Sequence, residues 1–152
     1  MPLLLVRHAR AGDRAEWEGD DRQRPLDDRG AAQAARLVQL LARFPIDAIL
    51  TSPYLRCVQT VEPLAAARGL RPDVRPELGE GLQAAAGVSL VRSLAGRPVV
   101  ICGHAGLELA LPDPPRWRKG SVLVLGPSLD VVETIRTGKP KPELPTGPSP
   151  PG

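Results

Sequence analysis

The chain has two histidines, and each lies just beyond an apolar run. His8 ends "PLLLVRH" with Arg7 beside it, and His104 follows "VVICG". Arg56 stands shortly after a third apolar run, in "AILTSPYLR". Imidazoles and guanidinium groups brought together make a cradle for an oxyanion. A neutral imidazole can attack phosphorus and form a phosphohistidine, which divides one hydrolysis into two easier steps. That transfer asks the protein for an in-line nucleophile and positive charge around the equatorial oxygens. Arg7, Arg56 and His104 can supply the charge. A leaving group of high pKa also needs a proton donor. Glu77 and Glu80 in "PELGEG" are the carboxylates in a suitable loop.

Other chemistries find less support. There is no G-x-x-x-x-G-K-[ST] loop, no G-x-G-x-x-G and no C-x5-R loop. Cys57 and Cys102 with the two histidines match no zinc-ligand spacing, so no metal or other cofactor is expected.

These residues can act together only if the fold gathers them. Leu3 to Val6, Ile46 to Thr51 and Val99 to Cys102 read as short buried strands. "PLDDRGAAQAARLVQLLARF" reads as a helix capped by Asp27 or Asp28, with Leu37, Leu41 and Phe44 on one face. "SPYLRCVQTVEPLAAARG" reads as a second helix, with Ser52 as N-cap, Pro53 in the first position and Gly69 as the stop. Pro63 is expected to kink or split it. A short strand near Pro72 to Arg75 and a weak helix near Val88 to Leu94 follow. "GSVLVLG" and "DVVETIR" read as two strands joined by a turn at Gly126 to Ser128.

Strands alternating with helices predict a three-layer α/β/α sandwich with a mostly parallel sheet, covered on both faces. In such folds ligands collect at the carboxyl ends of the strands, where His8, Arg56 and His104 all fall.

Composition agrees with one globular domain. The 152 residues are 42% hydrophobic and 24% charged, with only 3% aromatic, so the core must be aliphatic. The domain is expected to span residues 1–137. Residues 138–152, "GKPKPELPTGPSPPG" from Gly138, read as a disordered proline-rich tail. The net charge is +3, with the arginines scattered rather than blocked, so no nucleic-acid arm is expected. No run approaches the ~20 apolar residues of a membrane span. Two separated cysteines and no secretory leader pattern suggest a reducing, cytoplasmic setting.

As a set, these segments resemble the histidine phosphatase (phosphoglycerate mutase-like) superfamily. "VRHA" resembles its Arg-His-Gly signature, with Ala9 in place of glycine, as in the short SixA-type phosphohistidine phosphatases. "RPLDDRG", "TSPYLRCVQTVEPLA" and "CGHAG" resemble three further family segments. The resemblance implies His8 as nucleophile and Arg7, Arg56 and His104 as phosphoryl ligands. It favours Glu80 over Glu77 as the acid. "GDDRQRPL" and "RKGS" also resemble the phosphatase-like half of two-domain Nudix fusion hydrolases acting on nucleotides. By that likeness Arg14, Arg24 and Lys119 extend the anion site toward a polyphosphate; as plain surface charge they would do nothing. The first-ranked substrate is a phosphorylated protein bearing phosphohistidine. The second is a nucleotide or other small phosphorylated metabolite. A non-catalytic phospho-ligand-binding role is the third reading.

Overall fold

The computed structural model describes residues 1–81 and 84–137, and the proline-rich segment 138–152 lies outside the described residues. Its sheet has six strands: β1 (Leu3–Arg7), β2 (Ala48–Thr51), β3 (Asp73–Val74), β4 (Val99–Gly103), β5 (Val122–Leu125) and β6 (Val131–Ile135). They lie in the order β3-β2-β4-β1-β5-β6. β3, β2, β4 and β1 pair in parallel, while β5 is antiparallel to both β1 and β6. The sheet is therefore mostly parallel, as expected. Inserting β4 between β1 and β2 brings three strand ends side by side: Arg7 pairs with Gly103, and Thr51 with Cys102.

Strand alternation divides the core in two. Leu4, Val6, Val100 and Cys102 face α1 (Asp28–Leu40) and α2 (Leu55–Arg68). Leu3, Leu5, Val99 and Ile101 face Leu78, Val91, Leu107, Leu111 and Trp117 on the other side. Val91 belongs to α3 (Ala84–Ser93), which starts four residues before the helix read from the sequence. Leu107 belongs to a short turn of 3-10 helix, Leu107–Ala110.

α1 begins as expected, with Asp27 accepting the Gly30 N–H at 2.8 Å. α2 does not. It starts at Leu55, its N-cap is Tyr54, and no side chain caps it. Ser52 lies two residues before the N-cap and is engaged elsewhere. Pro63 neither splits nor ends α2, which runs unbroken to Gly69 in the left-handed conformation. Val61, Leu64 and Ala65, all buried against the sheet, hold the helix together around it.

Gly30 ties this frame to the site. A Cβ there would lie 1.9 Å from the Arg10 carbonyl oxygen, which accepts the Asp27 N–H. Only glycine lets α1 press so closely on the segment that follows His8. Gly30→Ala is expected to destabilise the protein by about 1–3 kcal/mol, the usual range for overpacking. Thermal unfolding should register this as a Tm lower by about 2–4 °C for each kcal/mol.

Candidate active site

His8 leaves the end of β1 under close backbone control. Its N–H donates to the Gly103 carbonyl at 3.0 Å, and its carbonyl accepts from Gly120 N–H at 3.0 Å. The next N–H, of Ala9, donates to Thr60 Oγ1 at 2.9 Å. β4, α2 and the segment before β5 thus each hold one side of this turn. Gly120 is itself constrained, with φ at +77° and a Cβ position 2.5 Å from Thr137 Oγ1.

The imidazole is oriented as well. His8 Nδ1 lies 2.8 Å from the Ala9 carbonyl oxygen. A carbonyl only accepts, so Nδ1 carries the hydrogen and Nε2 keeps its lone pair in the neutral ring. Burial depresses the pKa of His8 to about 3, opposed by the Ala9 hydrogen bond and reinforced by His104, Arg56 and Arg7. The ring is thus held in its nucleophilic form.

His104 stands 5.4 Å from His8, centroid to centroid, in an edge-on arrangement. Its Nε2 lies 2.9 Å from Ser52 Oγ and 3.5 Å from Cys57 Sγ. Ser52 Oγ accepts the Tyr54 N–H at 3.2 Å, and its hydroxyl can donate to His104 Nε2. In that arrangement His104 Nδ1 carries a hydrogen. This nitrogen is buried without a hydrogen-bond partner, 3.9 Å from Glu80.

Arg56 is fully buried, lies over the Tyr54 ring, and donates to the Asp21 carbonyl at 2.9 Å. It also reaches Asp21 Oδ2 at 3.1 Å and Glu80 Oε1 at 3.4 Å. Arg7 donates to the Trp117 carbonyl at 2.8 Å. The Nε atoms of Arg7 and Arg56 are buried without partners.

A cavity of about 680 Å³ opens over His8, lined by Arg7, Arg10, Arg14, Arg24 and Lys119 together with Glu80, Asp13, Gly12 and Gln33. Arg56 and His104 are not in its wall; they lie beneath Asp21 and Glu80. Arg14 binds both oxygens of Glu80, at 2.9 and 3.1 Å. Glu77 is turned to Arg75, 3.6 Å away, and does not line the cavity. Arg24 is buried rather than a surface charge and donates to Asp21 and to the Ala11 carbonyl. Lys119 has no hydrogen bond or ion pair among the described residues. Burial first, and then Arg7, Arg24, Arg10 and Arg56, push its ammonium pKa down. The cavity therefore holds positive charge that the protein leaves unbalanced.

Several contributors escaped the sequence reading. Asp21 holds Arg24 and Arg56; Tyr54 meets His104 edge-on at 4.6 Å between centroids; Thr60 anchors Ala9; Gln33 accepts the Arg10 N–H at 2.9 Å. Ser52 and Thr60 lie inside a segment quoted for its family likeness. Their side chains read locally as helix punctuation and helix interior, and nothing in the spacing names the groups they meet.

Fold and site together place the chain in the phosphoglycerate mutase-like class of α/β proteins. The model of the histidine phosphatase superfamily (branch 1) matches residues 3–89, and the chain belongs to that superfamily. An 8-oxo-(d)GTP phosphatase of Mycolicibacterium smegmatis is 38% identical over 81% of this chain and 43% of its own length. An uncharacterised Picosynechococcus protein is 44% identical over 54% of this chain and 48% of its own. The chain thus spans less than half the length of these curated relatives. Among solved structures, the protein histidine phosphatase SixA complexed with tungstate superposes with a TM-score of 0.73 at 22% identity, covering 90% of this chain and 97% of SixA. No helix among the described residues is long and apolar enough to cross a membrane.

His8 makes stability depend on pH. Its folded pKa of about 3 lies below the ordinary 6.5, so between these values the unfolded chain binds more protons. The stabilisation is complete above about pH 6.5 and is lost as pH falls toward 3. The urea midpoint should drop between pH 6.5 and pH 4, and His8→Asn should show a shallower drop over that window.

Proposed function

We propose that this chain is a phosphatase that transfers a phosphoryl group to His8 and then to water. The observation that carries the reading is the bare Nε2 of a buried, neutral His8 beneath an arginine-rich cavity. Nε2 attacks phosphorus as the P–O bond to the leaving group breaks. Glu80, in its protonated form, gives the leaving oxygen its proton. Water then attacks phospho-His8, Glu80 takes a proton from that water, and the P–N bond breaks to release phosphate. Arg7, Arg56 and His104 Nδ1–H, rather than a metal, carry the charge of the equatorial oxygens.

The carboxylates now on Arg56 stand where phosphoryl oxygens would. An incoming phosphoryl group displaces Glu80 from Arg56 and meets the unpartnered donors of Arg7, Arg56 and His104. A charge-assisted hydrogen bond is worth about 1.5–3 kcal/mol. One made only in the transition state is then worth roughly ten- to a hundredfold in rate.

For the substrate, the cavity favours a small molecule carrying more than one phosphoryl group. One phosphoryl group at His8 needs Arg7 and Arg56, which leaves the unpaired Lys119 for the next, with Arg10 and Arg14 beside it in the cavity wall. The likeness to the 8-oxo-(d)GTP phosphatase supports the same reading. The phosphohistidine-protein reading, ranked first on the SixA resemblance, becomes the alternative outcome of the substrate test.

His8→Ala should abolish phosphate release, and brief exposure of the wild type to labelled substrate should leave an acid-labile phosphate on His8. Glu80→Gln should slow ester hydrolysis by about a hundredfold and phosphohistidine hydrolysis far less; equal slowing removes Glu80 from the acid role. With a nucleoside diphosphate and a phosphohistidine protein offered in parallel, kcat/KM should be higher for the nucleotide.

A further inference from the structure

A second cavity adjoins the one over His8. Gly12, Asp13 and Arg24 line both. The second has a volume of about 250 Å³ and a different lining: Trp17, Pro25 and Leu26 give it apolar surface, and Glu16 lies beside them. Nothing in the phosphoryl-transfer route uses these residues.

Trp17 stands apart in a chain with few aromatics. It is 37% exposed, whereas the other tryptophan, Trp117, is buried in the core. Its placement is held, because its indole N–H donates to the Asp20 carbonyl at 3.0 Å and its backbone N–H donates to the Arg14 carbonyl at 3.3 Å. An exposed indole fixed at both backbone and ring is a stacking platform, and a π-face on such a platform accepts any planar ring. Glu16 adds a preference. Among the described residues its carboxylate has no hydrogen bond and no ion pair. Asp27, which also lines this cavity, is already committed to Arg10, Gly12 N–H and Gly30 N–H. Asp13, also in the lining, gives one oxygen to the Ala15 N–H. The carboxylate with neither oxygen engaged is therefore Glu16.

We infer that the second cavity receives the nucleobase of a nucleotide whose phosphates lie in the cationic cavity, with the ring on Trp17 and its N–H edge at Glu16. The inference rests on reading the larger cavity as a phosphate site and deepens that reading. Gly12, Asp13 and Arg24 form the shared wall along which phosphate chain and base are joined. Guanine offers a carboxylate two adjacent donors, N1–H and N2–H, whereas adenine offers only its amino group. A guanine nucleotide is thus the better fit.

Binding to His8→Ala protein tests this without any need for turnover. GDP, ADP and inorganic pyrophosphate are titrated calorimetrically; GDP and pyrophosphate carry the same number of phosphoryl groups. GDP should bind at least tenfold more tightly than pyrophosphate. Adding Trp17→Ala should shrink that advantage by about tenfold, the usual worth of one stacked base, and Trp17→Phe should keep most of it. Glu16→Gln should narrow the preference for GDP over ADP. As a check that needs no variant at position 17, GDP but not pyrophosphate should quench the fluorescence of the exposed indole. Equal affinity for GDP and pyrophosphate overturns the inference. So does a Trp17→Ala protein whose GDP-to-pyrophosphate ratio is unchanged, because the indole then merely braces its loop. Failure to label His8 in the wild type would overturn the phosphatase reading and leave this binding result standing.

Discussion

The hydrogen bond from His8 Nδ1 to the Ala9 carbonyl is the constraint on which the site turns. It leaves the neutral ring with a lone pair on Nε2, the atom that the proposed reaction uses. The bond exists only because the Ala9 carbonyl is held in place. Gly103 and Gly120 hold His8 by its own N–H and carbonyl, and Thr60 holds the Ala9 N–H. Thr60 in turn donates to the Arg56 carbonyl at 2.6 Å, so His8 and Arg56 share one support. Remove that support and the ring could turn, pairing Nε2 instead.

The electrostatics follow from depth. Cations near the bottom of the site are buried and matched internally: Arg56 by Asp21 and Glu80, Arg24 by Asp21. A buried guanidinium left without such partners would be costly. Arg7, Arg10 and Lys119 lie toward the open cavity, and Lys119 has no counter-charge among the described residues. A site arranged this way is stable when unliganded yet still attracts anions. Glu80 sits at the boundary, bound by Arg14 and Arg56 and close to His104, where a carboxylate can serve both as internal counter-ion and as proton carrier.

The extended region between β1 and α1 gives the cavity its shape. Two single turns of 3-10 helix, Arg14–Glu16 and Asp21–Gln23, are each capped by an aspartate, Asp13 and Asp20. Between them they present Arg14 to Glu80, Asp21 to Arg56, and Trp17 to the smaller cavity. A polar, glycine-containing loop with no hydrophobic period gives no sign of this locally. Its conformation is decided by the charged groups it meets across the site.

The features legible in the residues alone rest on short-range pattern. The buried runs became β1, β2 and β4, Asp27 caps α1, and Gly69 ends α2. The rule that ligands gather at strand carboxyl ends then put His8, Arg56 and His104 in one neighbourhood. Periodicity and the Asp27 cap are local physics, and they survive folding unchanged. Tertiary structure alone decided the rest. Ser52 is too far from the first turn of α2 to cap it, and His104 takes its hydroxyl instead. Pro63 stays inside α2 because the buried face around it outweighs one missing hydrogen bond. Arg24, readable as surface charge, is buried because Asp21 and the Ala11 carbonyl receive it. Glu80 lines the cavity and Glu77 does not, because Arg14 holds the one and Arg75 the other. Each of these depends on which groups from distant segments come within hydrogen-bonding reach, and that distance exists only once the sheet has brought β4 between β1 and β2.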